Sequence, residues 1–443
     1  MSELKQRAKK IAKRLLKDTK VMNPKYQILL LTNRDSDNVG DQTIEACDIS
    51  LIKAAMANLG ISKMDFKVNS KAASIVTQAY LKSLKPELLE SADKTISKSS
   101  VVVFGGAPVF NYLYQNMYER TAVTIELAEK HNVPVLFSAV GVDRYDEGNE
   151  RCQRIKDKIN SDAVVQVTTR DNIEALKKFT DSSKNICKVA DPSVFSNYVF
   201  EKSIKKKGSK PKIGMFVFRA HGFEDNKIAF TKEDARDMWL NLAEEFKNRG
   251  YNVEFITSGH FGDEAFMDYL IRDCGVNQKE CAFNINQPED LISKISSYDG
   301  VISCRLHPSI LSFALDVPSL GILWNNKVKG FYESVGYADR IVTTENLDIK
   351  DVADRMEKAI KESVKKDNDY LMTVYTTLFE GLKKALNIET DRQPYTFEEL
   401  TRKMSRYPGT SSKEYEEKLK RKFRRTYQTL NDRDAKIAKL EGK

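Results

Sequence analysis

Unbroken apolar runs alternate with amphipathic stretches of helical period through residues 26–322, and this alternation constrains the fold more than any other feature of the sequence. QILLLT (27–32) precedes a periodic stretch at 43–59, VVVFGG (101–106) precedes 112–131, PVLFSAVG (134–141) precedes 149–160, and AVVQVTTRD (163–171) precedes IEALKKF. A strand that is apolar at every position hides both faces, as happens when helices cover both sides of a parallel sheet. The linker EKSIKKKGSKPK (201–212) is polar, basic and broken by Gly and Pro, and marks a domain boundary. The pattern then restarts with KIGMFVFR (212–219), NVEFITSG (252–259), GVISC (300–304) and PSLGIL, separated by helical stretches at 232–249, 263–273, 288–297 and one from Pro308. The expected architecture is α/β, with two Rossmann-like parallel-sheet domains at 23–203 and 210–345. Residues 346–400 read as a helical segment. Open sheets of this kind bind ligands outside the carboxyl ends of their strands, so two in tandem would face a cleft.

The location of charge narrows the function classes. The net charge is +9, but residues 1–25 carry +7 and residues 401–443 carry +8, which leaves the middle at −6. A basic excess confined to the ends is a poor match to a fold specific for nucleic acid. Residues 1–22 place Leu4, Ala8, Ile11 and Leu15 at helical spacing among lysines and arginines, giving a basic amphipathic helix. In the basic tail at 401–443, positions 419, 423, 426, 430, 433, 437 and 440 step by four and three, with Thr426 and Arg433 as polar lapses, in the manner of a short coiled coil. Both ends read as solvated appendages or as elements docking on a membrane surface, and the C-terminal one also as a self-association helix. No apolar run approaches bilayer length, and no apolar signal segment follows the basic opening. The expected compartment is the cytoplasm, peripheral at the inner membrane face. The six cysteines lack CxxC spacing, which suggests reduced core thiols and no zinc site.

Polar residues and glycines collect at the strand ends. Gly40 and Asp41 of NVGD open a helix after the first strand, where free N–H groups suit an anion and Asp41 also suits a helix cap. Gly105 and Gly106 allow the close approach of a ligand or of another backbone. Arg219 ends MFVFR, and Arg305 and His307 end VISCRLH. An arginine fork matches carboxylate or phosphate oxygens, and an imidazole moves a proton near neutrality. Pro308 is expected to start the following helix and to leave His307 just before it. His221 and His260 (in TSGHFGD) are further candidates. Neither glycine cluster is a dinucleotide or P-loop fingerprint.

In order along residues 26–345, NVGD, GGAPVF, SAVGVD, VTTRD, ADPSVF and SCRLHPSILSFALDVPSLGI resemble the polysaccharide pyruvyl transferase family. The RLH element (Arg305, Leu306, His307) is the most specific of them. The resemblance implies a GT-B-like arrangement, with an acceptor side in the first domain and a donor side in the second. It implies phosphoenolpyruvate as donor substrate, no separate cofactor, and a saccharide acceptor, lipid-linked or a nascent polymer, that receives a cyclic ketal during surface glycan assembly. His307 is then the expected general acid, Arg219 and Arg305 hold carboxylate and phosphate, and Asp41 is a candidate base for the acceptor hydroxyl. The competing readings are a GT-B glycosyltransferase using a nucleotide sugar and a non-catalytic membrane-associated scaffold.

Overall fold

Ile28, Leu29, Leu30 and Leu31 are all fully buried, as a strand covered on both faces requires. The computed structural model describes residues 24–112, 116–219, 221–345 and 347–441. The amphipathic helix expected at 1–22 lies outside them. The first sheet contains β1 (Tyr26–Thr32), β2 (Phe66–Ala72), β3 (Val101–Gly105), β4 (Val135–Val140), β5 (Val164–Thr169) and β6 (Asn185–Lys188), ordered β2-β1-β3-β4-β5-β6. The second contains β7 (Lys212–Phe216), β8 (Asn252–Ile256), β9 (Cys281–Ala282), β10 (Gly300–Ser303), β11 (Ser319–Ile322) and β12 (Ile341–Val342), ordered β12-β11-β10-β7-β8-β9. Every pairing is parallel.

The four strands that the apolar pattern did not announce are β2, β6, β9 and β12, and each is an edge strand. Edge strands are short or partly solvated, so FKVNSKA and NICK carry no continuous apolar run.

The longer helices are α1 (Val39–Asn58), α2 (Met117–Lys130), α3 (Glu150–Ile159), α4 (Lys232–Asn248), α5 (Phe261–Cys274), α6 (Pro288–Ser296), α7 (Leu306–Ala314), α8 (Asn326–Ser334), α9 (Ile349–Glu362), α10 (Asn368–Ala385) and α11 (Ser412–Leu440). The helical stretch after residue 346 breaks at Ser363, where φ is +59°. Before the break, α9 packs on α4 of the second lobe. After it, α10 returns to the first lobe, where Gln166 Nε2 donates to the Thr377 carbonyl (3.0 Å) and Asn58 Nδ2 to the Tyr375 hydroxyl (2.9 Å). The C-terminal segment therefore ties the two lobes together.

Candidate active site at the seam between the lobes

Ser303 closes β10, and two residues later Arg305, in an extended conformation, forms the N-cap of α7. The helix starts at Leu306, not at Pro308 as expected, which places His307 inside the first turn. Pro308 falls at the third helical position, where no backbone N–H is needed. His307 is 6 % exposed and reaches across to the first lobe.

Its partners there come from the β1–α1 loop. Asn38 is the N-cap of α1, its Oδ1 accepting from the Gly40 N–H (3.3 Å). That bond orients the amide so that Asn38 Nδ2 donates to His307 Nδ1 (3.1 Å). A ring whose Nδ1 accepts carries its proton on Nε2. Nε2 lies 3.8 Å from Asp41 Oδ1 and makes no hydrogen bond among the described residues. Capping by Asn38 frees Asp41 from the role its position suggested, and Asp41 Oδ2 instead accepts from Asn33 Nδ2 (3.0 Å). Gly40 has a steric reason to be glycine: a Cβ there would stand 2.3 Å from His307 Cβ and Cγ.

Behind the imidazole, Arg170 at the end of β5 forms a buried ion pair with Asp191. Asp191 Oδ1 also accepts from the Ser193 N–H (2.8 Å). Burial alone would raise the Asp191 carboxyl, but Arg170, His307 and the Ser193 hydrogen bonds outweigh it and hold the group low. Asp48 of α1 is fully enclosed beside this pair, and burial pushes its carboxyl well up. Gly105 and Gly106 serve this packing, because a Cβ at either would collide with Asp48 or Ile44 of α1. The space beside them is filled by a helix and does not open to a ligand.

The second-lobe cations centre on Asp263, which is completely buried. Arg305 donates through Nε to Asp263 Oδ2 and through Nη2 to Oδ1, both at 2.8 Å, and its guanidinium lies over the rings of Phe218 and Trp324. The Arg219 backbone N–H donates to the same Asp263 Oδ1 (3.0 Å), while its side chain pairs with Asp225 (2.7 Å). His260 caps α5, its Nδ1 accepting from the Gly262 N–H (3.2 Å), and lies 3.9 Å from Asp263. Burial, then the neighbouring Arg305, hold its imidazole below the ordinary value. The expectation of two guanidiniums free to grip an anion needs correcting: Arg305 keeps only Nη1 unengaged among the described residues. His221 stands apart, 69 % exposed and paired with Glu224.

The lobes touch where the Val39 N–H donates to the Ser258 carbonyl (2.8 Å). Two grooves open along this seam. One, about 320 Å³, is lined by Arg170, Asp191, Leu306, Lys327 and Tyr370 among others. The other, about 310 Å³, is lined by Arg34, Asp37, Gln42, Asn286, Lys418 and Lys422 among others. Arg219, Arg305 and His260 line neither. Among the described residues no cluster of His, Cys, Asp or Glu is able to hold a metal ion.

Burial is the main influence on His307 and lowers its value below 6.5, with Asp41 opposing and Arg170 assisting. The unfolded chain thus takes up this proton first as pH falls. Stability from this group is complete above about 6.5 and declines as pH drops through the folded value. We expect the thermal midpoint to fall on acidification from neutrality, and less steeply in His307→Gln; equal slopes in the two proteins would contradict this assignment.

Comparison with known proteins places this geometry in context. A family model described as polysaccharide pyruvyl transferase matches residues 11–326. No curated protein matches the chain by sequence. Among solved structures, a Listeria monocytogenes protein assigned as a UDP-N-acetylglucosamine 2-epimerase is similar with TM-score 0.53 and 9 % identity, over 84 % of this chain and 99 % of that one. S. aureus MnaA, solved with UDP, is similar with TM-score 0.51 and 11 % identity, over 84 % and 100 %. At such identities the likeness is one of fold: two Rossmann-like lobes in a GT-B-like arrangement.

Proposed function

This chain belongs to the polysaccharide pyruvyl transferase family, and from that premise we propose that it moves the pyruvyl group of phosphoenolpyruvate onto two hydroxyls of a saccharide. The family makes the protein a transferase of glycan biosynthesis. The observation that carries the finer reading is His307, buried at the seam with Nε2 directed toward Asp41 and unpartnered.

The chemistry assigns roles in order. The donor's methylene carbon must gain a proton, which gives its central carbon cationic character. One acceptor hydroxyl adds there, a second displaces phosphate, and a cyclic ketal results. Of the two hydroxyl protons, one replaces that given to the methyl group and the other leaves on phosphate. In this reading His307 supplies the first proton from Nε2, and Asp41 receives one from an acceptor hydroxyl. In the free site burial and Asn38 favour the neutral ring. A multiply anionic donor beside it favours the imidazolium, at the cost of the Asn38 bond to Nδ1, so donor binding readies the acid. Arg219 and the free edge of Arg305 orient the donor's charges, with Asp263 and the Phe218 face fixing the Arg305 plane. Leu306, Arg170 and Lys327 border a groove suited to the acceptor.

The test is release of phosphate from phosphoenolpyruvate by purified protein, dependent on an added glycan and matched by a ketal methyl signal in proton NMR. Release of nucleotide from a sugar nucleotide, with no phosphate from phosphoenolpyruvate, would overturn the reading in favour of glycosyl transfer.

A further inference from the structure

Nine large apolar side chains are exposed among the described residues, and five of them, Phe423, Tyr427, Leu430, Ile437 and Leu440, lie on the single helix α11. The other four are scattered, and such singletons are ordinary. At about 100° per residue, Phe423, Tyr427, Leu430 and Ile437 fall within about 80° of arc. The opposite side of the helix is already occupied. Arg421 and Arg425 pair with Asp35 and Asp37 of the first lobe, and Lys422 with Glu264 of the second (2.7 Å), also donating to Asn286. The helix thus lies across both lobes at the edge of the Arg34–Lys422 groove and turns an apolar stripe outward.

We infer that α11 docks this protein on an anionic bilayer, the stripe entering the interface while Lys420, Arg424 and Arg433 on its flanks meet lipid phosphates. The charge pattern selects this occupant. None of those three cations enters an ion pair among the described residues, and residues 401–443 carry +8 overall, complementary to an anionic surface. A second copy would bring the same positive flanks together. Among the described residues no helix is long and apolar enough to cross a membrane, so the attachment is peripheral. The inference rests on the transferase reading only for its purpose, which is to bring the groove beside α11 to a lipid-linked acceptor.

Vesicle flotation tests it without any turnover. The full chain should float with phosphatidylcholine–phosphatidylglycerol vesicles and hardly with pure phosphatidylcholine, and high salt should weaken the association. Phe423→Asp with Leu430→Asp should lower the partition by more than about tenfold, and Lys420→Glu with Arg424→Glu by a similar factor. Phosphate release with a soluble acceptor should stay unchanged in all of them. Wild-type partition in both double variants would overturn the proposal, as would a dimer by light scattering that both pairs of changes dissociate.

Discussion

His307→Ala is expected to lower turnover by about 10²- to 10⁴-fold, the usual contribution of a positioned acid, with little change in donor affinity. The expectation follows from where the ring sits. Nδ1 is held by Asn38, and the proton on Nε2 points toward Asp41, so alanine removes the proton donor and leaves the Asp263-centred cations in place. A fall in kcat with KM for phosphoenolpyruvate held is the signature of a group that acts in the transition state. Arg305→Ala should divide its effect otherwise: it deprives buried Asp263 of both side-chain hydrogen bonds and loosens the donor site, so KM rises and the thermal midpoint falls together. Unchanged kcat in the histidine variant would remove His307 from the chemistry.

Much of this arrangement was legible in the chain, and the illegible part has physical causes. The eight inner strands announced themselves because burial on both faces leaves continuous apolar runs. The RLH and NVGD elements drew notice because cations and glycines at strand ends are poor core residues. What linear order concealed was partnership across the fold. Asp263 stands in the first turn of α5, where an acidic residue is commonplace for dipole reasons, and nothing nearby signals that it forks onto Arg305 from 42 positions away. Asp41 suits a cap for α1 by its position, and only the packed structure gives that place to Asn38. Arg170 and Asp191 stood within noted stretches, VTTRD and ADPSVF, without a sign that they meet. The tail reads as an appendage because its ion-pair partners lie far off in sequence, at Asp35 and Asp37 before α1 and at Glu264 in the first turn of α5.

The Arg170–Asp191 pair carries the largest expected stability effect. Both side chains are nearly inaccessible, at 8 % and 3 % exposure, and Arg170 Nε has no partner among the described residues. Removing one member leaves a buried charge uncompensated, which costs about 3–5 kcal/mol. That is a large fraction of the 5–15 kcal/mol available to a typical domain. Asp191→Ala should be the worse change, because Arg170 would remain charged beside His307 and depress its protonation further. Replacing both, as Arg170→Met with Asp191→Leu, should recover most of the stability, since apolar groups of similar size need no counter-charge. If the pair acts only as packing, that double variant will also recover turnover. If, as the coupling between Asp191 and His307 indicates, it sets the field around the imidazole, the double variant will be stable, slow and shifted in its pH–rate profile. Thermal melting and pH–rate profiles of the three proteins separate these outcomes.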